Sequence, residues 1–300
     1  MILEYSSGEI AAQLAHSRKI LVKNVSFALS AGETLALIGE TGSGKTMTAL
    51  SIMGLLPENV TMENGCISFL GENITEKKDL RSLLGDQVVY IPQNGLEFLN
   101  PSRKIRHHLY DNLKRIGTPR KKLEQTAKEK LLLSGLPNPE EILDKYPFQL
   151  SGGMAQRVTI AISACSNASL IIADEPTNGL DDAAKQRFLE LLTTVFPKAA
   201  KLIITHDITL AELCDKTLVL CGGRMMEKGS SASVLQNPRN GYTKALLASL
   251  VKNGMQETPA IREGTGICPF YSRCQDASDA CAKHIIHGCA GDAEWWCSAP

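Results

Sequence analysis

Gly39-Glu40-Thr41-Gly42-Ser43-Gly44-Lys45-Thr46 has the glycine spacing of a loop that wraps phosphate groups. Its glycines let backbone N–H groups turn inward, and the helix expected from about Lys45 towards Leu55 adds a favourable potential for anions at its first turn. Lys45 has the reach to contact β- and γ-phosphates, and the Thr46 hydroxyl suits Mg²⁺. About 130 residues later, Leu170-Ile-Ile-Ala-Asp174-Glu175 ends an apolar run in two carboxylates. Adjacent acids often serve only as helix caps or turn residues. Here the four apolar residues before them and Pro176 after them favour a strand end. Asp174 would then hold Mg²⁺, directly or through water, and Glu175 would polarise an attacking water. A third stretch, Leu150-Ser151-Gly152-Gly153-Met154, opens a helix, so its N–H groups and hydroxyl form a second anion site.

The elements that must hold these residues follow from periodicity. Ile20–Leu29 reads as a strand, and Ser30-Ala-Gly-Glu33 turns the chain into Thr34–Ile38, a short buried strand feeding the glycine loop. Cys66–Leu70 and Gln87–Ile91 read as further strands. From Asn94 to about Ala168 the pattern is helical, with helices expected over Arg103–Arg115, Arg120–Ser134 and Ser151–Cys165. Strands return at Leu170–Ala173 and Leu202–Thr205, with a helix over Asp182–Val195, and Lys216–Leu220 and Arg224–Glu227 close the sheet. Such alternation specifies an α/β fold with a mainly parallel sheet and helical crossovers. The stretch of about 94–168 reads as an inserted helical subdomain.

The chain has 300 residues, 43% of them hydrophobic and 21% charged, the composition of an ordinary globular protein. Its 32 basic residues balance 32 acidic ones, which argues against a free-standing nucleic-acid binder. The one local excess, Arg103, Lys104, Arg106, Lys114, Arg115, Arg120, Lys121 and Lys122, reads as a solvated helical face, with contact to a membrane-embedded partner or anionic headgroups as the alternative. No segment has the roughly 18 apolar residues of a membrane span. Met1–Lys19 is interrupted by Glu4, Glu9 and His16 and lacks the apolar core of a secretory signal, so the expected location is the cytoplasm. Of nine cysteines, Cys66, Cys165, Cys214 and Cys221 lie in apolar surroundings as small core residues, whereas Cys268, Cys274, Cys281, Cys289 and Cys297 crowd the last 33 positions. In a reducing compartment that crowding points to metal rather than disulfides.

Five motifs in order over positions 39–206 resemble those of the ATP-binding subunits of ABC transporters. Ser151-Gly152-Gly153 matches the family's signature motif, Gln93 its Q-loop glutamine, Asn178-Gly-Leu-Asp181 its D-loop, and His206 in Ile203-Ile-Thr-His-Asp207 its switch histidine. A lone histidine after a strand is usually a polar loop residue; the ordered set outweighs that reading. The resemblance implies a P-loop (RecA-like) core with an antiparallel β subdomain over 1–235, and a Cys-rich extension over 236–300. It implies ATP and Mg²⁺ as cofactors, with Mg²⁺ held by Thr46, Gln93 and Asp174. It implies too that Ser151, Gly152 and Gly153 cap the γ-phosphate bound to a second such subunit, so that ATP joins two domains and hydrolysis releases them. His16 corresponds to the family's adenine-stacking aromatic.

Met154 with Ala155-Gln156-Arg157, Leu99-Asn100-Pro101, and Tyr242-Thr-Lys-Ala-Leu-Leu247 resemble the oligopeptide, dipeptide and nickel import branch, although Asn240-Gly241 stands where His-Pro is usual. Cys268-Pro-Phe-Tyr-Ser-Arg273-Cys274 and Cys281 resemble that branch's C-terminal extension. Some members carry a [4Fe–4S] cluster there, for which Cys268, Cys274 and Cys281 with Cys297 or Cys289 are the candidate ligands. Four thiolates also suit structural zinc, and the remaining alternative is a reduced set packing with Phe270, Trp295 and Trp296. The expectation is an ATPase at the cytoplasmic membrane face, paired with a second ATPase subunit, two permeases and an extracytoplasmic binding protein. Peptides rank before nickel as cargo. The competing class, a soluble ABC ATPase acting on nucleic acid or ribosomes, usually has two ATPase domains, a coiled coil or a zinc insertion, none of which this sequence offers. A nucleotide-binding regulator without hydrolysis is disfavoured by the presence of Lys45, Asp174, Glu175 and His206.

Overall fold

Side chains alternate across the apolar strands, and both faces of the sheet are buried. In the computed structural model, which describes residues 1–15, 17–75, 80, 82–250, 253–255 and 266–298, Leu35, Leu37, Leu170, Ile172, Leu202 and Ile204 enter one core. Their neighbours Ala36, Ile38, Ile171, Ala173 and Ile203 enter another on the opposite face. A strand buried on both faces needs cover on both, which is the condition met by parallel sheets.

In chain order the first elements are β1 (Leu3–Leu14), β2 (Ser17–Leu29), β3 (Thr34–Ile38), α1 (Lys45–Met53), β4 (Val60–Phe69), β5 (Glu72–Asn73) and β6 (Val88–Ile91). Four helices follow: α2 (Ile105–Arg115), α3 (Leu123–Leu133), α4 (Pro139–Asp144) and α5 (Gly152–Ser163). Then come β7 (Leu170–Asp174), α6 (Asp182–Val195), β8 (Ala200–Thr205), α7 (Ile208–Glu212), β9 (Lys216–Cys221), β10 (Arg224–Ser230) and α8 (Ser231–Gln236). The C-terminal part adds α9 (Gly241–Ala248), α10 (Asp279–Lys283), β11 (His287–Ala290) and β12 (Ala293–Trp296).

The strand order is β5-β4-β1-β2-β10-β9-β3-β8-β7-β6, with β12 joined to both β10 and β11. Strands β9, β3, β8, β7 and β6 are parallel neighbours, while β2, β1, β4 and β5 form an antiparallel wing. The helical stretch has its own core, in which Ile105, Leu109 and Leu113 of α2 meet Ala127 and Leu131 of α3 and Val158 of α5. The basic cluster is largely paired: Arg103 and Lys114 face Asp111, and Lys104 and Arg106 face Asp144.

Several expectations needed correction. The first strand, β1, was not legible because bulges near Gly8 and Ile10 break its alternation, with Ser7 at φ 50°. Helix α1 ends at Met53, where Gly54 takes the left-handed cap conformation, earlier than Leu55. The short α4 lay in a stretch read only as a proline-bearing loop, although Pro139 sits at its first turn. Cys165, Cys214 and Cys221 are buried, and burial pushes their thiols up to about 12, so they are inert core residues. Cys66 is only half-buried.

The C-terminal region is not a loose tail. Tyr242, Leu247, Phe270 and Cys274 belong to the same core as Ile38 and Val219. Asn240 ties it down: its amide donates to the carbonyls of Met226 (3.0 Å) and Trp296 (2.8 Å), and its oxygen accepts from Tyr242 N–H (2.8 Å). Replacing Asn240 with Ala strands the buried Met226 carbonyl and the half-buried Trp296 carbonyl and removes the cap of α9. A loss of about 2–3 kcal/mol in denaturant-measured stability is expected, together with faster amide hydrogen exchange at Trp295 and Trp296.

Candidate functional site

The parallel strands end together. Ile91 lies beside Ala173, Asp174 beside Ile204, Thr205 beside Ile38, and Ile38 beside Val219. Whatever follows each strand therefore emerges at one edge, the edge where open α/β sheets bind ligands. From β3 comes the glycine loop, from β6 Gln93, from β7 Glu175, from β8 His206, and from β9 Gly222. Thr41, Gly42, Gly44, Lys45, Thr46, Gln93, Asp174 and Glu175 line a single cavity of about 720 Å³.

The loop's shape depends on glycine where the chain crowds itself. Gly39 has φ 147°, and a Cβ there would stand 2.1 Å from the Leu220 carbonyl oxygen. Gly44, at φ 100°, is the N-cap of α1 and would meet Val22 at 2.9 Å. The loop therefore sits flush against the ends of β2 and β9. Lys45 is 7% exposed and donates to the carbonyls of Gly39 (2.7 Å) and Glu40 (3.0 Å). Burial pushes its ammonium below the ordinary lysine range, and the negative charges of Glu175, Asp174 and Glu40 push the other way. Ser43 has a buried hydroxyl oxygen without a hydrogen-bond partner, a polar atom that a ligand would satisfy.

Asp174 at the end of β7 accepts from the Tyr90 hydroxyl at 3.3 Å. Burial raises its carboxyl above the ordinary aspartate range, with Glu175 adding in the same direction and Tyr90 and Lys45 opposing. The same neighbourhood pushes the Tyr90 phenol up to about 12. Glu175 sits at φ 46°, a conformation that costs a non-glycine residue about 1–3 kcal/mol. Its N–H donates to the Ile204 carbonyl at 2.8 Å, holding the turn in that shape. One carboxylate oxygen lies 2.8 Å from His206 Nδ1; the other accepts from the Thr205 hydroxyl (3.2 Å) and the His206 N–H (3.4 Å). The carboxylate is thus fixed by the end of the neighbouring strand, β8.

Thr46, Gln93 and Asp174 offer hydroxyl, amide and carboxylate oxygens to one space, the hard donor set that suits Mg²⁺. Ser151 caps α5, its hydroxyl accepting from Met154 N–H at 3.4 Å, and Gly152 and Gly153 are exposed with open space around them. The two glycines line a different cavity, of about 190 Å³, which shares only Gln93 with the first. Asp181 caps α6 by accepting from Ala184 N–H at 2.7 Å. The signature helix and the turn after Glu175 are linked by Gln156, which donates to the Pro176 carbonyl at 2.7 Å.

His16 lies outside the described residues. The apolar end of the larger cavity is instead formed by Ile20 and Leu21, beside Lys19. These were missed because two aliphatic residues in a strand look like core. Their one distinguishing trait, the exposure of Ile20 at the open end of β2, is not visible in sequence.

Among the C-terminal cysteines, Cys268, Cys274, Cys281 and Cys297 share one neighbourhood. Burial is the main cause that raises the Cys268 and Cys274 thiols, and the thiols of Cys297 and Cys281 add to both. Cys289 is exposed on β11. Among the described residues no three His, Cys, Asp or Glu side chains are arranged to hold a metal ion. The four thiols fit a cluster in kind and neighbourhood, not in arrangement. Trp295 and Trp296 sit on β12, where His287 stacks on Trp296 at 4.9 Å.

A family model described as ABC transporter matches residues 22–178, and one described as oligopeptide/dipeptide transporter, C-terminal region, matches residues 226–281. The chain belongs to the ABC transporter ATP-binding family and carries that C-terminal region. It is 36% identical over 87% of its length to the dipeptide transport ATP-binding protein DppD of Bacillus subtilis (strain 168), covering 83% of that protein. It is 37% identical over 83% of its length to the oligopeptide transport ATP-binding protein OppD of Lactococcus lactis subsp. cremoris (strain SK11), covering 75% of it. Among solved structures it is similar to cbiO1 of Clostridium perfringens, part of the transporter complex cbiONQ, with a TM-score of 0.66 and 25% identity over 79% of this chain and 91% of that one.

The raised Asp174 carboxyl has a stability consequence. With the folded value above the unfolded one, the associated stability is complete below the ordinary aspartate range and is lost as pH rises through the folded value. Asp174→Asn is therefore expected to raise the unfolding free energy of the nucleotide-free chain by roughly 0.5–2 kcal/mol, seen as a higher thermal midpoint, while abolishing Mg²⁺-dependent ATP hydrolysis. Calorimetry and phosphate release measure the two effects.

Proposed function

We propose that the chain hydrolyses ATP as the energy-coupling subunit of an importer for peptides. The observation that carries this reading is the Glu175–His206 contact at 2.8 Å, fixed at the mouth of a glycine loop in a chain with the peptide-transporter C-terminal region.

Phosphates enter the loop between its N–H groups, the first turn of α1 and the Lys45 ammonium. Mg²⁺, when held by Thr46, Gln93 and Asp174, neutralises charge on the β- and γ-phosphates. Glu175 accepts a proton from the attacking water, and His206, bonded to the same carboxylate, orients that water and meets the γ-phosphate. Ser151, Gly152 and Gly153 act on the ATP of a second subunit, with the N-terminus of α5 supplying N–H groups to its γ-phosphate. Their exposure, and their position on a different cavity from the glycine loop, support that division of labour. Asp181 shapes the turn between the two sites. Gln93 lines both cavities, which suits it to link the γ-phosphate to the permease-facing residues beyond it.

The peptide assignment is supported by the C-terminal match and by relatives named for dipeptide and oligopeptide transport; nickel or a metal chelate ranks second. No helix among the described residues is long and apolar enough to cross a membrane, and the proposal assigns passage of the cargo to separate permease subunits. The proposed assembly is a pair of ATPases on the cytoplasmic face, two permeases and an extracytoplasmic binding protein. The same proposal extends to the domain division at about 235/236.

Glu175→Gln is expected to lower ATP turnover by about 10²–10⁴-fold and to accumulate an ATP-bound dimer on gel filtration, with labelled-peptide uptake by the assembled transporter abolished. Wild-type turnover in that variant would remove Glu175 from the chemistry. Uptake of nickel in place of peptide would reassign the cargo. Iron, sulfide and zinc analysis of anaerobically purified protein decides among the three readings of the cysteines: about four iron and four sulfide per chain mark a cluster, zinc marks a structural site, and neither marks a reduced set.

A further inference from the structure

The glycine loop contains an acid. Glu40 lies within the turn that must receive a polyphosphate, where its charge opposes the ligand. Its carboxylate is not among the groups that line the cavity. It is turned towards the C-terminal region, where Arg273 grips it with two parallel bonds, Nη1 to Oε1 at 2.8 Å and Nη2 to Oε2 at 2.9 Å. The partners are separated by 233 positions in sequence. Two-pronged pairing of this kind fixes direction as well as charge, which a lysine ammonium does not reproduce.

The same residue is held at two further points. The Glu40 N–H donates to the Tyr242 hydroxyl at 3.0 Å, and its carbonyl accepts from Lys45 at 3.0 Å. Tyr242 is 1% exposed and packs edge-on against Phe270, with ring centroids 5.2 Å apart. Arg273 in turn lies over the Phe270 ring at 5.2 Å. Tyr242 and Phe270 are thus seated in the core below the sheet edge, and the half-buried Arg273 reaches from the Phe270 ring to the start of the loop.

We propose that Arg273 and Tyr242 are positioning residues for the phosphate loop, neutralising Glu40 and turning it away from the nucleotide, so that ATP affinity depends on the docked C-terminal region. The inference rests on the loop being the ATP site. Glu40 has no need to be acidic for binding phosphate; its use is to give the C-terminal region a handle on the loop.

The test measures KM and kcat for ATP in the assembled transporter, and Mg²⁺–ATP binding to the full chain with a fluorescent ATP analogue. Arg273→Ala is expected to raise KM about two- to fivefold, the range for a half-exposed ion pair, with kcat within twofold of wild type. Arg273→Lys should recover part of the loss. The decisive variant adds Glu40→Gln to Arg273→Ala: with the stray charge gone, KM should return towards the wild-type value. The Arg273→Ala effect should also shrink as salt is raised, because the released charge is screened. An unchanged KM in Arg273→Ala overturns the proposal, as does a raised KM that Glu40→Gln leaves raised, since that marks damage to packing alone. If Arg273→Ala fails to fold by circular dichroism, Arg273→Lys with and without Glu40→Gln carries the same comparison. Wild-type protein that fails to bind the analogue overturns the ATP-site reading itself, a result separable from equal binding by wild type and variants.

Discussion

The in-register ending of the parallel strands is the constraint on which this molecule depends. Backbone pairing sets Ile91, Ala173, Ile203 and Ala36 at one level, with Ile38, Thr205 and Val219 level two residues further on, and five connections leave from that edge. The glycine loop, Asp174, Glu175 and His206 then need no long-range adjustment to meet. The sheet does the positioning, and short loops inherit its rigidity. Two buried faces fix the strands in turn, since slipping one of them by a single residue would exchange the side chains of two cores.

The same edge carries local strain. Gly39 and Gly44 take backbone shapes closed to other residues because β9 and β2 press against the loop. Glu175 takes a left-handed shape with a full side chain, held by the Ile204 carbonyl and by Thr205 and His206. Burial opposes charge on both Lys45 and Asp174. Polyphosphate and Mg²⁺ supply the opposite charges that these groups lack, so the features that burden the fold alone are those that favour ligand.

The C-terminal region is built into this arrangement. Strand β12 extends the sheet beside β10, Asn240 bonds to both β10 and β12, and Tyr242 and Phe270 complete the core beneath Ile38. Glu227, fully buried on β10, accepts from the N–H groups of Arg239 and Asn240 and so orients the entry to α9. Changes in the cysteine-bearing segment therefore have a short mechanical route to the loop.

Sequence alone determined the candidate residues that the strand ends bring together and most of the elements. Glycine spacing, apolar runs of strand length ending in Asp174 and Thr205, and the helix over Asp182–Val195 are local patterns, and local patterns are written in consecutive residues. It could not give β1, whose bulges erase the alternation, nor Ile20 and Leu21 as cavity residues, because exposure depends on what packs nearby. Nor could it pair Glu40 with Arg273 or choose Cys297 over Cys289 as the neighbour of Cys268. Those are contacts between segments brought together by strand order, and strand order is decided only when the whole sheet buries both its faces.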